Sequence, residues 1–216
     1  MSLSVNKNAK ALRKGFLSDR RIEMKKILLM TAAFVLVSAG AAFAQEGAME
    51  GKAEAASEAP APERVRAEII NAESELVGEA TFTQGPIGVL ATIKLKDMPP
   101  GPHGMHIHTV GMCDHADHFK GASGHVNPGG KEHGYLNENG PEKGDLPNII
   151  VGEDGRVEVE LFLPQFNISG EGTVLMDEDG SALMIHESPD DHKTQPIGGS
   201  GARIACGLIQ NISQGE

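Results

Sequence analysis

Tryptophan is absent from this 216-residue chain and tyrosine occurs once, so aromatic residues make up only 4% of it. A core built from such a sequence has to be mostly aliphatic. Basic residues are also in short supply: 19 Lys and Arg stand against 30 Asp and Glu, a net charge of −11. Residues 1–44 hold eight Lys/Arg and two Asp/Glu, which leaves 11 basic and 28 acidic residues beyond Ala44, a net of −17. That balance argues against nucleic acid or an anionic membrane as partner, because both require a basic face. The strongly apolar run from Ile27 to Val37 is shorter than the ~20 residues of a spanning helix. Cysteine is nearly missing too, with Cys113 and Cys206 the only two.

What is present at the start is a targeting pattern. From Met24, "MKKILLMTAAFVLVSAGAAFAQ" has a basic opening, an apolar stretch and small residues ending in Ala42-Phe43-Ala44. This is the anatomy of a secretory signal, with cleavage expected after Ala44. The polar, basic residues 1–23 are read as the product of an upstream start. Export into an oxidising compartment makes the two cysteines a candidate disulfide, the alternative being two buried thiols. Closing so long a loop contributes roughly 4–5 kcal/mol in the chain-entropy model. Residues 45–64, "QEGAMEGKAEAASEAPAPER", have almost nothing to bury and read as a disordered linker, which puts the single folded domain at 65–216.

Beyond Val65 the chain shows short β-like runs: "RVRAEII", "GEATFTQ", "GVLATIKL", "GMHIHTV", "NIIVGEDGRVEVELFL", "GTVLMDEDGSALMIH" and "ARIACGLIQ". "RVEVELFL" alternates at period two, and "EDG" stands twice where a hairpin would turn. With no convincing amphipathic helix between them, such runs indicate an all-β antiparallel sandwich or barrel. Gly111–Pro147 and Glu187–Gly201 resist the pattern, and loops of that length are usually functional or disordered. The unusual residues sit in and around them, which favours function.

All nine histidines fall between His103 and His192. On a strand, residues two apart face the same way, so His106 and His108 project together and could chelate one transition ion. A bare H-x-H also arises as a hydrogen-bonded pair without metal. "GHVNPGGKEHG" adds His125 and His133, "KGDLPN" adds Asp145, and "LMIHESPDD" adds His186. A nitrogen-rich donor set suits copper or zinc, and zinc accepts a carboxylate.

The segments "GMHIH", "GHVNP", "HG", "GDLPN", "IHESPDD" and "GGSGARIACG" resemble, in order and spacing, those of the exported bacterial copper/zinc superoxide dismutases. The likeness runs from about Val65 to Ile209. It implies an immunoglobulin-like Greek-key β-sandwich or barrel of about eight strands with two long functional loops. It implies copper on His106, His108, His125 and His186, with His125 bridging to a zinc also held by His133 and Asp145. Asp190 would hydrogen-bond the non-ligating nitrogens of His106 and His133, fixing ring orientation and basicity. Arg203 would stand at the mouth of the copper channel, with Lys193 a helper or an ordinary solvated lysine. Cys113 and Cys206 would pair, pinning the long loop to the last strand. The implied reaction is disproportionation of superoxide by redox-cycling copper, with His125 carrying a proton, in a periplasmic monomer or homodimer.

One departure stands out. The family places a third zinc histidine three residues before the aspartate, and this chain has Glu142 there. Either Glu142 ligates, making a harder and more negative two-histidine, two-carboxylate site, or the zinc site is empty. His115 and His118 are expected as solvated loop residues, or else as a substitute for the lost ligand. Met105 is expected in the core, His103 and His192 receive no role, and Met112 carries a thioether able to bind reduced copper. A rival reading is a non-enzymatic periplasmic copper-binding or buffering protein. Retention of Arg203, Asp190 and all four copper ligands weighs against it.

Overall fold

The computed structural model describes residues 61–212; the signal segment, most of the linker and the last four residues lie outside them. Nine strands follow in order: β1 Arg64–Asn71, β2 Leu76–Gly85, β3 Gly88–Leu95, β4 Gly101–His103, β5 Met105–His108, β6 Ile149–Val151, β7 Val157–Leu163, β8 Ala182–His186 and β9 Arg203–Asn211. Seven form one curled antiparallel sheet in the order β5-β8-β9-β1-β2-β3-β7, and β4 pairs with β6. β1 opens at Arg64, one residue ahead of the expected start, because Arg64 already pairs with Thr83. The count exceeds eight because the run 101–108 breaks at Gly104. There the backbone turns to pair elsewhere, Gly104 donating to Ser188 O and its own carbonyl accepting from His186 N. A Cβ at Gly104 would meet the Ser200 Cβ at 2.8 Å.

Alternation builds the sheet. In β3, Val89, Ala91, Ile93 and Leu95 are buried while Leu90 and Lys94 face out. In β7, Glu158, Glu160 and Phe162 are exposed between half-buried aliphatics. The main core is aliphatic as the composition requires, gathering Val65, Ile69, Ile93, Met105, Ile107 and Ile185 among others. Burying one such side chain stabilises by about 1.5–3 kcal/mol. Around the first "EDG", Gly152 donates to Arg156 O, closing a turn between β6 and β7. The second makes no hairpin: Leu175 and Met176 donate to Asn167 O and Ile168 O, and only Ala182–His186 is strand. Residues 173–176 pair with the 167–168 segment, which leaves them unavailable to β8.

The first long loop carries two single 3-10 turns, His115–Asp117 and Lys120–Ala122. Between them Phe119 turns inward, fully buried with Ala122, Ala182, Met184 and Cys206. Cys113 and Cys206 form a disulfide across a sequence separation of 93, tying this loop to β9.

Candidate metal centre

β5 is an end strand of the sheet, and two loop segments occupy its free side. Ile107 donates to Gly144 O and Val126 donates to Ile107 O, while Gly144 donates to Val126 O. These bonds bring His125 opposite His108 and Asp145 opposite His106 as isolated bridges. The approach is close enough that a Cβ at Gly144 would meet Ile107 O at 2.3 Å, so glycine is required there. On β5, Met105 and Ile107 enter the core, and His106 and His108 take the opposite face under the loops. β8 shifts register between Ile185 and His186, which pairs His186 with Arg203 at the sheet's end.

His106, His108, His125 and His186 converge, each offering a ligand atom within 4.8 Å of the others, and all four are buried. One nitrogen of each is buried without a hydrogen-bond partner: His106 Nδ1, His108 Nε2, His125 Nε2 and His186 Nε2. The other nitrogen of each ring is engaged. His106 Nε2 lies 2.8 Å from Asp190 Oδ2, His108 Nδ1 2.9 Å from Ser123 O, His125 Nδ1 2.7 Å from Glu142 Oε2, and His186 Nδ1 3.2 Å from Gly201 O. Ring orientation is therefore set from outside, and one nitrogen of each ring faces inward. Burial, with the neighbouring imidazoles and the Arg203 charge, lowers His108 to about 2 and His186 to about 3. Burial also lowers His106 against the pull of Asp190. These nitrogens stay unprotonated at neutral pH, as metal ligands must be.

A second set adjoins the first. His106, His125, His133 and Asp145 also lie within 4.8 Å of one another, but His106 belongs there by proximity only, since Asp190 engages its Nε2. Glu142 also faces two of these rings. Its Oε2 is 2.7 Å from His125 Nδ1 and 3.5 Å from His133 Nδ1, while Asp145 Oδ1 is 3.2 and 2.8 Å from the same two atoms. Ligands ~2.0–2.1 Å from a tetrahedral zinc stand about 3.3 Å apart, a value that these four separations bracket. Burial works against charging His125 and His133, yet the facing carboxylates outweigh it, raising both, His133 to about 11. The imidazoles in turn hold Glu142 and Asp145 below the usual carboxylate range, overcoming burial. The two imidazoles and the two carboxylates thus favour each other's charged forms.

Asp190 links the sets, with Oδ2 toward His106 and Oδ1 3.0 Å from His133 Nε2. Arg203 donates from Nη1 to Phe119 O and from Nη2 to Ser123 O, both at 2.6 Å. His115 and His118 are exposed in the first loop and belong to neither set, so neither replaces the lost histidine. Lys193 and Met112 are exposed as well, and Met105 is fully buried in the core.

Three contributors escaped the sequence reading. His103 has each ring nitrogen 2.8 Å from a carbonyl, Nδ1 at His186 O and Nε2 at Pro99 O, and so holds the backbone of His186. Asn148 clamps Asp190 by donating to its carbonyl and accepting its N–H. The signal for Asn148 was its place at the end of "GDLPN". His192 donates its backbone N–H to Asp190 Oδ1 at 2.6 Å.

The family model for copper/zinc superoxide dismutase (SODC) matches residues 76–209. The Cu-Zn superoxide dismutase of Caulobacter vibrioides is 46% identical over 136 residues, covering 62% of this chain and 78% of that protein. Cu-Zn superoxide dismutase 2 of Aquifex aeolicus is 44% identical over 149 residues, 68% of this chain and 86% of that one. The crystal structure of a superoxide dismutase-like protein from Bacillus subtilis superposes with a TM-score of 0.64 at 40% identity, covering 67% of this chain and 97% of its own. The chain belongs to the copper/zinc superoxide dismutase family.

Proposed function

We propose that the chain disproportionates superoxide to dioxygen and hydrogen peroxide, holding copper through His106, His108, His125 and His186 and zinc through His125, His133, Asp145 and Glu142. The observation that carries this reading is the quartet of buried, unpartnered ring nitrogens within reach of one ion. Each unpaired buried polar atom costs about 1–3 kcal/mol, and one shared cation relieves all four. An all-imidazole set suits copper, and the mixed nitrogen and carboxylate set suits zinc. When bound, copper supplies the one-electron exchange with superoxide, and zinc, without redox chemistry, supplies fixed positive charge.

The protein's own groups bring substrate and protons together. Arg203 draws the small anion in: with both Nη atoms held by carbonyls, its charge is fixed close to His108 and His186. The acidic body of the protein does not cancel that attraction, because charges beyond ~8 Å of solvent are largely screened at physiological salt. His125 faces both sets, so it can hold a proton at Nε2 while Nδ1 stays against Glu142 and Asp145. Asp190 keeps His106 and His133 from rotating.

Copper content and superoxide-dependent turnover, measured on the same purified sample, test the proposal. His186→Ala is expected to lose both. Arg203→Ala is expected to keep copper and lose rate. A protein that only buffers copper would show no Arg203-dependent rate. We place the mature protein in the periplasm, on the signal pattern at 24–44 and a disulfide that an oxidising compartment permits. Its partner there is superoxide, with neither nucleic acid nor membrane.

A further inference from the structure

Each carboxylate of the second set turns one oxygen to the imidazoles and has the other tied down. At Asp145 the backbone does the tying: Oδ2 accepts from Gly134 N at 2.8 Å and Glu142 N at 3.0 Å, leaving Oδ1 for His125 and His133. At Glu142 a side chain does it. Oε1 accepts from Asn127 Nδ2 at 2.8 Å, leaving Oε2 for the same two rings. The Asn127 amide is fully committed, for Nδ2 also donates to Lys131 O at 2.7 Å and Oδ1 accepts from Lys131 N at 2.9 Å. A flipped amide would lose all three bonds, so its orientation is fixed by the network.

Glu142 needs such a restraint. It has one more torsion to fix than an aspartate, and it lines a cavity of about 500 Å³ whose wall also carries Lys131 and Lys143. An unrestrained carboxylate there can turn away from the imidazoles toward water and the lysines. We infer that Asn127 is a positioning residue for the second metal: its amide holds Glu142 Oε1 so that Oε2 alone is presented as a ligand. The inference rests on the reading of Glu142 as a ligand. It also makes the role conditional, since a histidine at position 142 has no Oε1 to hold.

The test is a double-substitution cycle on the copper-loaded full chain, with two readouts: Zn²⁺ affinity by competition with a chromophoric chelator, and the visible spectrum of Co²⁺ at the second site. Copper content checks folding in each variant. Asn127→Asp keeps the acceptor for Lys131 N and removes the donor to Glu142. It is expected to weaken Zn²⁺ binding by about 10–100-fold, the usual effect of losing a ligand's supporting partner, and to change the Co²⁺ spectrum. Asn127→Ala is expected to act in the same direction. In a Glu142→His background both substitutions should alter affinity by less than about 3-fold, since the oxygen through which Asn127 acts is gone; that difference between backgrounds is the coupling the cycle measures. Equal losses in the two backgrounds, or no loss in the parent chain, would overturn the inference. Glu142→Ala with undiminished Zn²⁺ affinity would instead sink the ligand assignment.

Discussion

His108 and Arg203 are held by one atom, the carbonyl oxygen of Ser123, which lies 2.9 Å from His108 Nδ1 and 2.6 Å from Arg203 Nη2. A ring at the candidate copper site and the cation proposed to attract substrate are therefore positioned together. Arg203 reaches this oxygen with one arm of its fork and Phe119 O with the other. Lysine keeps the charge but puts it on one flexible ammonium in place of the two-armed fork. Arg203→Lys should fall between the parent and Arg203→Ala in turnover and keep a salt dependence, while Arg203→Ala should flatten it. Rates measured across ionic strength decide this; equal slopes for all three would refute the steering role.

Ser123 itself sits at φ 64°, ψ −144°, close to a region that glycine alone occupies freely. Ser123→Gly relieves that strain and keeps the carbonyl. The variant should gain about 1 kcal/mol of stability with turnover unchanged, read from the urea midpoint and a rate assay. A loss of stability would show that the exposed hydroxyl matters more than the backbone.

Asp190 joins the two sets through opposite oxygens. Asp190→Ala frees His106 and His133 together, so affinity for both metals should drop about 10–100-fold, as measured by chelator competition. Asn148→Ala, which loosens only the backbone of Asp190, should produce a smaller drop. A variant that lost one metal alone would show that the link is not shared.

Acid and alkali should each destabilise the metal-free protein. His108 and His186 fold with values lowered to about 2 and 3 from 6.5. Below pH 6.5 the unfolded chain takes up protons that the native one refuses, so each ring removes about 1.4 kcal/mol per pH unit on acidification. His133, raised to about 11, works the other way: its stabilisation is complete below 6.5 and is lost as pH rises towards 11. The urea midpoint should peak near neutrality and fall at pH 4 and pH 9. A midpoint still climbing at pH 9 would contradict this balance.

Local pattern made part of this legible. The period-two spacing of His106 and His108 foretold their common face, and the aromatic-poor composition foretold an aliphatic core. The failed hairpin at the second "EDG" shows the limit, because a turn signal does not say which backbone will take up the following strand. The supports of the centre are harder still to read. Arg203 meets Phe119 across 84 residues, and His103 meets His186 across 83, each through a main-chain oxygen that carries no side-chain identity. Asn127 reaches Glu142 because two segments of the same long loop, 15 residues apart, close on one another, which no periodicity records.

β5 ends the sheet, and the loop bonds that bring His125 and Asp145 to the centre also occupy its outer backbone groups. An uncovered strand at a sheet's margin is a template for pairing with another molecule. Here the loops do that covering themselves, so a change that loosens them, such as a side chain at Gly144, should expose the strand and promote self-association.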